Sequence, residues 1–146
     1  MADYGDEHDD ATAMLDLLYA QGDITTYPSE DGGPSTVPVG ATPPYRSVHF
    51  VTEHTPTGER LASLSSRSIT RAFVHHVGAS DVAARALLRR TKQAWLDVRP
   101  AIPGRSVYPI RHEQTREPQT SEPVARTTVT ITAIYRLETQ PGVDGS

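Results

Sequence analysis

The stretch Val77–Arg99, VGASDVAARALLRRTKQAWLDVR, limits the possible folds more than any other part of the chain. A strand is expected to end at Gly78. The Ser80 hydroxyl is then placed to cap the first free backbone N–H groups, and Asp81 lies favourably in the first turn. With helical periodicity, Ala84, Leu87, Leu88, Thr91, Ala94, Trp95 and Val98 share one apolar stripe. Arg85, Arg89, Lys92 and Arg99 fall together on another face, and Pro100 discourages further helix. The expectation is one amphipathic helix, apolar face inward and basic stripe outward.

The elements around it follow from pattern and punctuation. Residues 1–9 read as a polar arm, and Asp9 or Asp10 can cap a helix from about Ala11 to Gln21, ended by Gly22. Ile24–Tyr27 is a candidate short strand. Pro28–Pro43, rich in Gly, Pro, Ser and Thr, is a long loop. Tyr45–Thr52 is a strand by its β-branched and aromatic content, His54–Ser66 a polar hairpin loop, and Ser68–Val77 the returning strand, with Ile69, Phe73 and Val77 on one face. After the central helix come a strand near Ser106–His112 and a third polar loop, Glu113–Pro123. Thr127–Glu138 alternates most clearly: Val129, Ile131, Ala133, Tyr135 and Leu137 against Thr128, Thr130, Thr132, Ile134 and Arg136. The sum is an α+β domain. Its antiparallel or mixed sheet has about four to five strands, and two helices pack on one face. No internal repeat or linker divides it, so residues 1–146 read as a single domain: arm 1–9, core 10–138 and flexible tail 139–146.

Composition excludes more than it assigns. A formal net charge of −4 gives no basic excess for nucleic acid, and no apolar run approaches the ~20 residues of a membrane span. The acidic start MADYGDEHDD lacks both the basic and the apolar region of a signal peptide. Absence of cysteine removes disulfides, thiolate zinc sites and thiol nucleophiles, in keeping with a reducing compartment.

Six histidines invite a metal or acid–base reading. His75 and His76 are adjacent on a strand, so they point to opposite faces and cannot ligate one ion together. His49 and His112 sit on other strands, with Glu53 and Glu113 nearby, but no spacing here is that of a zinc site. There is no G-x-S-x-G motif and no phosphate-cradling glycine loop at Gly32–Gly33 or Gly104. Neither a catalytic group, a metal ligand nor a cofactor site is therefore assigned. The basic stripe has three readings: a solvated face, a subunit contact, or a phosphate-binding surface. The acidic whole speaks against independent DNA binding, and outward-leaning Val82 and Leu96 speak for a subunit contact.

An ordered set of segments then carries a resemblance. Pro44-Tyr45…Val48-x-Phe50-Val51, Arg60-Leu61-Ala62, and Phe73-x-x-x-Val77-Gly78-Ala79 come first. Leu87-Leu88, Ala94-Trp95-Leu96-Asp97-x-Arg99-Pro100-x-Ile102-Pro103-Gly104-Arg105, Ile110-Arg111-His112-Glu113 and Tyr135-Arg136-Leu137 follow. From Leu15 to Leu137 the chain resembles tail terminator proteins of long-tailed phages, of the kind found in phages and prophages of actinobacteria. The matching residues are structural and include no catalytic signature. The acidic arm and the loop Pro28–Pro43 lie outside the likeness.

That resemblance implies a virion protein of the tail or neck, assembled in the host cytoplasm. It would form a homo-oligomeric, six-fold ring on the head-proximal end of the tail tube. It would stop tube polymerisation and meet the head–tail connector or stopper protein. DNA would only pass through the lumen, and no membrane or cofactor is involved. Another neck connector or tail-completion protein shares this size and neighbourhood. A closed ring of head-to-tail contacts needs two complementary patches. The charge layout offers Arg85, Arg89 and Lys92 beside Leu96 as one, and the arm with Asp6 and Glu7 as the other. The hairpin loop with His54, Glu59, Arg60 and Arg67 is expected to face the tube or the lumen. Two other classes compete: a small histidine-dependent metallohydrolase, and a monomeric module that binds through Pro28–Pro43. The first needs His49, His75 or His76, and His112 to converge with Glu53 or Glu113.

Overall fold

A computed structural model describes residues 7–29, 37–38, 40–55, 67–121 and 128–141, with the side chains of 7–9, 54, 55 and 121 excepted. In chain order the elements are α1 (Glu7–Tyr19), β1 (Thr26–Ser29), β2 (Tyr45–Thr55), β3 (Arg67–Gly78), α2 (Asp81–Trp95), β4 (Arg105–Val107), β5 (Arg111–Thr115), β6 (Gln119–Ser121) and β7 (Thr128–Pro141). One mixed sheet runs β1-β2-β3-β7-β4, with β5 and β6 also paired to β7. Only β1 on β2 is parallel; the remaining pairs are antiparallel. The fold is α+β, as the alternating strands and two helices predict, and the sheet is open rather than a closed barrel.

The sheet has seven strands rather than four or five, and the surplus lies along one edge of β7. Residues 105–121 run antiparallel beside it in three pieces, with Arg105 opposite Pro141, Arg111 opposite Arg136 and Gln119 opposite Thr130. The single strand expected near Ser106–His112 is broken at Pro109, which has no N–H to give a ladder. Ile110 instead exchanges backbone bonds with residues 97 and 98 and buries its side chain. The polar segment expected as a loop from Glu113 is largely strand because an edge strand needs backbone pairing on one side only. Residues 111–120 are all exposed, so no alternation could announce them.

Both helices cover the same face. Trp95 Nε1 donates to Met14 O at 2.9 Å, and the Trp95 ring meets Tyr135 edge-on at 5.2 Å. Around them Met14, Leu18, Val48, Val74, Ala84, Leu88, Ile110, Ile131 and Leu137 complete the core. Along β3 the helix-facing row is Ser68, Thr70, Ala72, Val74 and His76. Ile69, Phe73 and Val77 do share a face, but it is the face the helices leave uncovered. The larger apolar residues mislead here because the buried row is rich in hydrogen-bonding groups.

Helix ends differ from expectation by identifiable forces. Ser80 caps α2, its Oγ accepting from Ala83 N at 3.2 Å. The helix stops at Trp95 rather than Arg99 because Asp97, at φ 63°, and Val98 pair with Ile110. Val98 and Arg99 therefore leave the helical stripe. α1 begins at Glu7, so Asp10 is a buried helix residue and not a cap. β7 runs three residues past Glu138, and Thr139 is buried, which draws the start of the expected tail into the sheet. A β-carbon on Gly78 would stand 2.6 Å from Ala84 N, so the strand-to-helix turn requires glycine.

Candidate functional site

The outer face of α2 is built by helical spacing alone. Val82, Arg85, Arg89, Lys92 and Leu96 recur at three- and four-residue steps; Val82, Arg85, Arg89 and Leu96 are exposed, Val82 at 75% and Leu96 at 41%, while Lys92 is half-buried at the margin. Arg85 Nε donates to Asp81 Oδ2 at 2.7 Å within the helix. Among the described residues, Arg89 and Lys92 have no carboxylate within ion-pair distance. Arg90, one position round, is instead tied to Asp23 by two bonds of 2.8 and 2.9 Å, which hold the Asp23 carboxyl below its usual range. The structure thus presents the residues singled out in the sequence, Arg85, Arg89 and Lys92 of α2 and Leu96 capping its end, along one side. Arg99 lies beyond the end of the helix.

The uncovered sheet face is charged at one end and aromatic at the other. Arg71 contacts Glu53 at 3.1 Å and Glu113 at 3.0 Å; Arg136 contacts Glu113 and Glu138, both at 3.6 Å. Arg67 is not in the hairpin loop but opens β3, 3.8 Å from Glu138. Asp6, Glu59 and Arg60 lie outside the described residues, and Glu7 and His54 are placed by backbone only.

The histidines do not converge. His49 stacks on Phe73 at 4.8 Å and lies 5.6 Å from His75, whose Nδ1 bonds Thr132 Oγ1 on the uncovered face. His76 points through to the other side, as strand geometry requires, and bonds Thr91. His112 is also on the helix-covered side, against Tyr135 at 5.4 Å. Glu53 and Glu113 are both engaged by Arg71. Among the described residues no three metal-binding side chains form a group, so the ligand set that a histidine-dependent hydrolase needs is split by the sheet. Burial lowers the pKa of His75, His76 and His112, His76 to about 4.

A shallow trough of about 500 Å³ runs along residues 100–107. Its one charged lining group, Arg105, is committed to Thr139 and Ser68. Sequence reasoning missed the buried polar residues Arg46, Asp10 and His76. One signal was available for Arg46, which shares its strand parity with Val48 and Phe50 and hence their inward row. Among the described residues, no helix is long and apolar enough to cross a membrane.

Comparison with known proteins yields fold but not family. No family model matches the chain, and no curated protein does. Among solved structures, it is similar to a chain from the virion of a native gene transfer agent (GTA) particle. The TM-score is 0.59 at 10% identity, over 88% of this chain and 92% of that one.

Proposed function

We propose that the chain is a structural virion protein: a tail terminator that forms a ring on the head-proximal end of the tail tube. One observation carries this reading. Nearly its whole length shares the fold of a chain that is part of a virion particle, and that chain is itself matched over nearly its whole length. The ordered resemblance from Leu15 to Leu137 narrows the virion role to the terminator.

Ring formation requires two different patches on each subunit. The outer face of α2, where Arg89 and Lys92 have no intrachain carboxylate partner among the described residues and Arg85 pairs with Asp81, supplies one. Residues 54–66 and Arg67 face the tube or lumen in this reading. Its partners are further copies of the chain, the tube protein and the connector or stopper protein, and DNA traverses the lumen without being read. The role involves no catalysis.

The test is a capping assay. Tube protein is polymerised with and without this chain, and tube length and ends are measured by electron microscopy, with native mass spectrometry for the ring. Short tubes carrying a hexameric ring at one end are expected. Unrestricted tube growth would overturn the terminator role, and binding to head connectors alone would move the protein to another position in the neck.

A further inference from the structure

We infer that the uncovered sheet face holds one tetrahedral oxyanion, of the phosphate or sulfate type, between His75 and Arg116. The site does not depend on ring formation.

Strand register brings the donors into one row. Ser47 on β2 stands opposite His75 on β3, and His75 stands opposite Thr132 on β7. Past the end of β5 the pairing continues by one residue, with Arg116 N donating to Thr132 O at 2.8 Å. Thr115 shares a 2.6 Å bond with His112 and therefore lies on the helix-covered side. Alternation turns the exposed Arg116 to the other side, next to Thr132. Adjacent strands are ~4.8 Å apart, a gap that an arginine side chain spans. His49 adds a second imidazole, its ring 5.6 Å from that of His75.

The charge around this row has one sign. Among the described residues Arg116 has no carboxylate within ion-pair distance. Glu53 and Glu113 are held by Arg71, which stands four residues along β3 from His75. That offset is ~13 Å, beyond the ~8 Å over which charge carries at physiological salt. Arg136 holds the same offset from Thr132 on β7, paired with Glu113 and Glu138. Burial, then the charges of His49 and Arg116, lower the pKa of His75, and no carboxylate opposes them. An anion placed between these groups removes that repulsion.

A proton completes the site. His75 Nδ1 meets Thr132 Oγ1 at 2.8 Å. As an imidazolium it donates there, turns the hydroxyl proton outward, and keeps Nε2–H for the anion. Arg116 supplies a planar fork of N–H donors that matches the edge of an oxyanion. The flanking rows are Tyr45, Val77 and Thr130 on one side, and Phe73, Ile134 and Gln114 beside His49 on the other. The cationic patch is therefore one anion wide, which fits a single ion rather than the spaced phosphates of a nucleic acid strand.

Sulfate is the probe, because it stays a dianion while the histidines titrate. It is added to the full chain at constant ionic strength, at about pH 5.5 and about pH 7.5, and NMR follows the backbone amide and histidine ring signals. Saturable shifts centred on His75, Thr132 and Arg116 are expected, with tighter binding at the lower pH. Arg116→Gln, an exposed change that leaves the fold intact by circular dichroism, should weaken binding ~10-fold or more. His75→Gln should leave weak binding that no longer responds to pH. Absence of saturable shifts overturns the inference, as does equal affinity in Arg116→Gln or a pH response that persists in His75→Gln. A short DNA duplex that binds this row more tightly than sulfate overturns the single-ion assignment.

Discussion

Two buried polar clusters stand at opposite ends of the helix-covered face, and they solve the problem of an interior charge differently. At one end Arg46 is fully buried with neutral acceptors throughout. Its Nε reaches Thr26 Oγ1 at 2.8 Å, Nη1 reaches Thr91 Oγ1 at 2.9 Å, and Nη2 reaches Leu18 O and Gln21 Oε1 at 3.1 and 2.9 Å. Burial, with Arg90 nearby, lowers its pKa to about 10. The chain of bonds continues: Thr91 donates to His76 Nε2, and His76 Nδ1–H donates to Ile131 O, the assignment that a carbonyl partner demands.

At the other end Asp10 Oδ2 accepts from Thr70 and Thr139 at 3.2 and 3.4 Å. Thr139 in turn accepts from Arg105 Nη2 at 2.9 Å, so the counter-charge stands one hydroxyl away. The first cluster fastens α1, β1, β2, β3, α2 and β7 through a single cation. The second lets a partly exposed cation share its charge with water. Cost on removal should therefore be unequal.

The largest effect is expected at Arg46. Arg46→Ala leaves acceptors unfilled on α1, β1 and α2 around a cavity, and unfolding free energy should fall by about 4 kcal/mol in urea titrations. A loss below about 1 kcal/mol would show that the neutral acceptors find other donors and would end the contrast.

Acid should break the same cluster next. His76 titrates at about 4 when folded, against an ordinary value near 6.5. A lowered folded pKa means that stability is full above about 6.5 and is lost as pH falls from 6.5 to 4. The total is about 3 kcal/mol, with no further loss from this group below that range. His75 and His112 shift in the same direction and add to the slope. Replacing His76 with Gln should flatten most of the stability change between pH 6.5 and 4 in thermal melts. An unaltered slope would assign it elsewhere.

The smallest effect is expected at the other end. Asp10→Ala removes the acceptor of two hydroxyls that can rotate, while Arg105 keeps its bonds to Thr139 and Ser68. Alanine also suits a helix interior better than aspartate, so a loss of about 1–2 kcal/mol is expected in the same titrations. A loss matching that of Arg46→Ala would make the two clusters equivalent.

Legibility from sequence followed the kind of force at work. α2 was readable because Ser80, Asp81 and the stripe from Ala84 to Trp95 agree, and β7 because Ile131 to Leu137 alternate. The grouping of Arg85, Arg89, Lys92 and Leu96 on one side was readable for the same reason, since helical spacing alone sets it. β5 and β6 were not, because their backbone pairing leaves no trace in side chains that are all exposed from 111 to 120. The early start of α1 was hidden by Glu7, Asp9 and Asp10, which read as solvent-exposed until the hydroxyls that receive Asp10 are known. Those hydroxyls sit on Thr70 and Thr139, distant in sequence, and only the folded sheet brings them there.

The place of β7 in the sheet has a consequence for biosynthesis. β3, β4, β5 and β6 all pair with this last described strand, and Asp10 near the beginning of the chain bonds its Thr139. A ribosome therefore releases nearly every other element before the one that unites them. The β2–β3 hairpin and the isolated helices can form early, but the central pairing must wait for residues 128–141. Long-range closure of this kind folds slowly, so the sheet stays incomplete until β7 has left the ribosome.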